Sequence, residues 1–180
     1  MRGGRLAVDS QVRAVVTALF WSWLIASIET SIVFRLPPLV SSLNLPLVAT
    51  LAAVLFVSPE YGVGFAFVSG LFCDLAIGSS VGVRSISLVL CAAVVGVAQD
   101  RFFREHPVTW ALLGLVGSLL HDLVCAAILK LVGRLPVTYL DSVRIAAVGA
   151  LLNSIFSFVC LWLVYLRWKA SAKSFPDGLE

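Results

Sequence analysis

Three acids interrupt apolar stretches of the 180-residue chain: Glu29, Asp74 and Asp122. An acid inside a membrane-crossing segment is a functional-site candidate by default, because its charge is costly to bury unless it is paired or protonated. Asp74 and Asp122 each stand fifteen residues after a proline, Pro59 and Pro107, which is ~22 Å along a helix. Equal depth on two helices would allow an acid/base dyad of the kind used by aspartic intramembrane proteases. Those enzymes set their aspartates in GxGD or FNxAD contexts, whereas here the contexts are FCDL and LHDL. His121 adjoins Asp122, so on a helix the two point roughly 100° apart and make no ready triad. His106 sits at a loop, remote in depth. Cys73, Cys91, Cys125 and Cys160 lie in apolar runs without CxxC spacing, as core thiols do and zinc or disulfide frameworks do not. No catalysis, cofactor or metal is expected from these residues.

The surroundings of the acids point instead to helix packing. Ala66, Gly70, Asp74 and Gly78 lie four apart, as do Gly114, Ser118, Asp122 and Ala126. That spacing puts each set on one helix face, where small residues let another helix approach closely. Gly62 extends the first ladder and Gly82 continues it beyond the span. At an offset of 48 residues, Gly70–Leu75 overlays Ser118–Leu123, a weak internal repeat. Arg84, just beyond the third span, is the expected counter-charge for Asp74.

The elements that must carry these groups follow from composition. Hydrophobic residues make up 60 % and charged residues 13 % of the chain, against ~45–50 % and ~25 % in soluble domains. With a mean hydropathy of +1.02, the protein is expected to work from within a membrane. A net charge of +3 gives no case for nucleic acid. Apolar runs bounded by charges and prolines predict an all-α bundle of six spans, near 13–34, 44–58, 60–77, 84–101, 108–131 and 143–166. The second is short, and is expected either to thin the bilayer locally or to lie protected among its neighbours. The first, with Trp21 and Trp23 and no small-x-small site, reads as an uncleaved span. Six spans put residues 1–12 and 167–180 on one side. That side collects eight Lys and Arg against five on the other, so both termini are expected in the cytoplasm.

Residues 62–84, GVGFAFVSGLFCDLAIGSSVGVR, resemble the hallmark of the rod shape-determining protein MreD family, a G-x-G-F…G-x-x-x-D-L…G-S-x-x-G-x-R run. A short span opened by Asn44-Leu45-Pro46, the aromatic-basic turn Asp100–Arg104 and a span holding Asp122 extend the match over roughly 35–136. Leu47 departs from the polar or acidic residue often found after that proline. The resemblance implies a non-enzymatic inner-membrane component of the bacterial elongation machinery. It further implies association with the transmembrane helix of MreC, beside MreB, RodA and a class B penicillin-binding protein, in lateral peptidoglycan synthesis. One small-residue ladder, most simply Gly62–Gly82, would pack within the bundle; the other, or the first span, would receive MreC. The family fold is similar to the substrate-binding component of energy-coupling-factor vitamin transporters. That makes a vitamin-binding subunit the alternative, with Ala14-xxx-Ala18 as its docking motif, although no aromatic-polar pocket cluster is evident.

Overall fold

The computed structural model describes residues 2–31, 43–78, 80–98, 107–134 and 138–173. They form six helices and, among the described residues, no strand: α1 (Arg2–Ser31), α2 (Leu45–Phe56), α3 (Pro59–Ile77), α4 (Val83–Ala98), α5 (Pro107–Leu131) and α6 (Tyr139–Lys173). The Pro37-Pro38 and Leu135-Pro136 joints, the Asp100–Arg104 turn and the last residues of the expected first span lie outside the described residues. Helix α1 begins well before position 13, and α6 runs past 166 to Lys173. Hydropathy marks where a helix leaves apolar surroundings, whereas its backbone hydrogen bonds continue until a cap or breaker stops them.

Local chemistry sets several ends. Asn44 caps α2 by accepting the Leu47 N–H at 3.0 Å, and Pro46 falls where a missing N–H does no harm. Ser58 caps α3 by accepting from the Tyr61 N–H at 3.1 Å, with Pro59 and Glu60 in the first turn. Helix α3 stops at Gly78, whose φ of 69° is left-handed, a conformation that glycine adopts without strain. Gly82, at φ 99°, turns the chain into α4.

Helix α2 is the centre. Its twelve residues rise ~18 Å, well short of a ~30 Å hydrocarbon core. It lies protected among its neighbours, packing on all five other helices. Leu47, Leu51 and Val54 are at most 1 % exposed. The remaining helices form an arc around it in the order α1, α3, α4, α5, α6. Trp110 of α5 is fully buried, with Phe56 and Tyr165 at ring-centroid distances of 6.2 and 5.3 Å. Outward-facing residues are apolar, such as Val97 and Leu131 at 75 % and 87 % exposure. Three helices, α3, α5 and α6, are long and apolar enough to cross a membrane, while α2, α4 and the apolar part of α1 are shorter.

Three of the ladder glycines, Gly62, Gly70 and Gly114, are contact points inside the bundle. A Cβ on Gly62 would collide with Val54 Cγ2 of α2, and one on Gly70 would meet the Ser85 backbone of α4 at 2.5 Å. A Cβ on Gly114 would meet Ser157 of α6 at 2.5 Å. The second ladder is therefore taken up by α6 and is not open to a partner. Gly70→Leu is expected to cost about 3 kcal/mol or more, because its obstacle is backbone that cannot rotate aside. Thermal unfolding in detergent measures this; a melting temperature within a degree of the parent would reject the close approach.

Candidate functional site

Helices α2 and α4 begin inside the bundle, so the free N–H groups of their first turns need partners from the protein. Asp74, near the end of α3 and 2 % exposed, supplies them for α4. Its Oδ2 accepts the backbone N–H of Gly82 at 2.8 Å and of Ser85 at 3.4 Å, and its Oδ1 that of Arg84 at 3.3 Å. Gly70, one turn earlier, lets the Ser85 backbone come close enough for this. Glu29 of α1, also 2 % exposed, serves α2 in the same way. Its Oε2 accepts the Leu45 N–H at 2.7 Å while Oε1 binds the Arg84 guanidinium at 3.0 Å. A carboxylate at a helix N-terminus also meets the positive end of the macrodipole.

The expected ion pair of Arg84 was with Asp74; the guanidinium pairs with Glu29, and Asp74 holds Arg84 through its backbone. The reason is directional. Asp74 sits beneath the start of α4 and meets its N–H groups, while the Arg84 side chain extends across to α1.

The network continues to α6 and α5. The backbone N–H of Asn44 donates to Asn153 Oδ1 at 2.8 Å, and Asn153 Nδ2 donates to Ser118 Oγ at 2.8 Å. Alongside runs a second buried cluster: Ser87 Oγ donates to the Arg84 carbonyl at 3.0 Å and lies 2.7 Å from His121 Nδ1 and 3.2 Å from Cys125 Sγ. One polar layer thus touches all six helices.

Of the residues singled out from sequence, Glu29, Asp74, Arg84, Gly70, Gly82 and Ser118 meet in or beside this layer. Gly62 and Ala66 serve apolar packing on the same helix as Asp74, Ala66 being fully buried. Gly78 ends α3 in open space, and Gly114 seats α6. Asp122 is half-buried one turn beyond Ser118; α6 is capped locally, by Thr138 accepting from the Asp141 N–H, so Asp122 does not repeat the role of Asp74. Sequence reasoning placed Asn44 at the opening of the second span without its bridging role, and passed over Asn153, Ser87 and the place of His121. Asn153 had a signal: the chain contains two asparagines, and an amide within an apolar span calls for a partner. The two meet.

Chemically, the arrangement holds helices. Both oxygens of Glu29 and of Asp74 are engaged by structural donors. Among the described residues no group of three His, Cys, Asp or Glu is placed to hold a metal. Removing one partner of a buried ion pair costs about 3–5 kcal/mol, so Glu29→Gln and Arg84→Gln should each destabilise strongly. The double variant should lose clearly less than the sum of the two; additive losses in a double-mutant cycle would refute the pairing. Asp74→Ala should cost about 3 kcal/mol through orphaned amides, and Asp74→Asn, which keeps an acceptor, appreciably less.

No curated protein and no solved structure matches the chain. The family model described as rod shape-determining protein MreD matches residues 10–169, which takes in α2 to α5, all but the outer ends of α1 and α6, and every residue of the polar layer. The chain belongs to the rod shape-determining protein MreD family.

Proposed function

We propose that this protein is a non-enzymatic scaffold of the bacterial elongation complex, set in the inner membrane with both termini in the cytoplasm. It binds the transmembrane helix of MreC and so helps to organise lateral peptidoglycan synthesis beside MreB, RodA and a class B penicillin-binding protein. The observation that carries this reading is the polar layer, in a chain of this family: its buried charges are spent on fixing six helices relative to one another. A bundle locked in this way offers a constant outer surface, which is what a partner helix requires. The excess of Lys and Arg on the side of the termini supports the orientation.

With both glycine ladders occupied, the surface that suits MreC is the outer seam between α1 and α3. Two hollows of about 210 and 320 Å³ follow one another along it. Ala18 and Gly64 line the first, Ser27 and Ala76 the second. Small residues let helix backbones approach, the usual basis of association where lipid is as apolar as the protein. A Cβ on Gly64 would meet nothing within 4 Å. Gly64→Leu should therefore leave the fold and expression unchanged, yet reduce MreC co-purification at least about tenfold, or ~1.4 kcal/mol, and round the cells that depend on it. Val97→Leu on the exposed face of α4 should do neither. Full MreC retention by a well-folded Gly64→Leu protein would refute the seam as the docking site.

A further inference from the structure

Helices α1 and α6 close the arc at its two ends, and among the described residues their backbones are not neighbours. Between them lies an apolar groove of about 470 Å³ whose floor is α2, with Ala49, Ala52 and Ala53 along it. Its walls are Trp21, Ile25 and Ile28 of α1 and Phe156, Cys160 and Val164 of α6. One end is shut. There the N-terminus of α2 ties both walls together, Leu45 N–H to Glu29 of α1 and Asn44 N–H to Asn153 of α6.

The other end is open and basic. On α1, Arg13 lies eight residues, about two turns, before Trp21, exposed beyond the open end of the groove. On α6, Arg167 follows Val164 by three residues and continues the opposite wall. Both arginines are exposed, and Lys169 lies one turn from Tyr165, over its ring. The acids at that end in the described helices are Glu60, at the start of α3, and Asp9, four residues before Arg13 on α1, against Arg2, Arg5, Arg13, Arg167, Lys169 and Lys173. Positive charge prevails.

We infer that this groove holds one acyl chain of an anionic phospholipid whose headgroup phosphate is bound between Arg13 and Arg167. Depth decides between a lipid and a helix. From Phe156 to Val164 the wall runs eight residues, ~12 Å, which is about one leaflet of a ~30 Å core. A crossing helix needs the full thickness and would meet the closed end. A chain entering from the basic end stops where the leaflet stops. Charge decides the headgroup: guanidinium groups match phosphate geometry, and basic pockets between membrane helices bind anionic headgroups.

The test uses the full-length protein in neutral detergent, with lipid retention read by native mass spectrometry. Phosphatidylglycerol and phosphatidylcholine of identical chains are compared. Phosphatidylglycerol should be retained at least about tenfold more strongly, in keeping with ~1 kcal/mol per basic residue near a headgroup. Arg13→Gln with Arg167→Gln should abolish that preference while leaving phosphatidylcholine retention, helicity and elution volume unchanged. Ala52→Phe, which fills the floor, should weaken both lipids. Lys130→Gln, at the opposite end of the bundle, should leave the preference intact. Equal retention of the two lipids by the parent protein would overturn the proposal, as would a preference that survives loss of both arginines or falls equally with Lys130→Gln. If Ala52→Phe instead split an oligomer or released a bound helix without affecting lipid, the occupant would be protein and the proposal wrong.

Discussion

Everything in this bundle depends on where the first-turn amides of α2 and α4 find their acceptors. A helix that starts in water leaves these groups to the solvent, but one that starts inside an apolar bundle must be given oxygen atoms by its neighbours. Here the oxygens come from Asp74 and Glu29 on helices that end where α4 and α2 begin. The two acids are therefore also the opposite charges that complement two helix N-termini and one guanidinium. Take them away and the starts of two helices, not one salt bridge, lose their support. The glycines follow from the same demand, since Asp74 reaches the α4 amides only because Gly70 allows the backbone of Ser85 so near.

This explains why α2 can be short. Its length would be a fault in a helix facing lipid at both ends, but the start of α2 is buried in protein. At its start stand Asn44, Glu29 and Asn153, and at its other end Phe56 packs on Trp110. The five helices around it supply the apolar thickness that it lacks.

Much of this was legible in the sequence, for a physical reason. Acids and small residues are rare enough in apolar helices that each marks a constraint, and Glu29, Asp74, Gly62 and Gly70 all do so. Partnership was less legible. Arg84 stands ten residues from Asp74 and fifty-five from Glu29, and nearness in the chain favoured the wrong carboxylate; only the direction of the α4 axis shows that Asp74 meets backbone and Arg84 reaches α1. Asp122 looked like the twin of Asp74 because the residues around it match. What distinguishes them is the helix that follows, since α4 starts against Asp74 whereas α6 carries its own Thr138 cap. Helix ends were the least legible, because α1 and α6 continue through polar residues that hydropathy had assigned to tails.

The hydrogen bond between Asn44 and Asn153 joins residues 109 positions apart, and this has a consequence for biogenesis. Helix α2 leaves the ribosome early, yet one acceptor at its start belongs to α6, which is made about a hundred residues later. Until α6 arrives, an amide at the centre of the nascent bundle has no permanent partner. Capping of α2 and docking of α6 are thus one event, since the start of the central helix is complete only when Asn153 is in place.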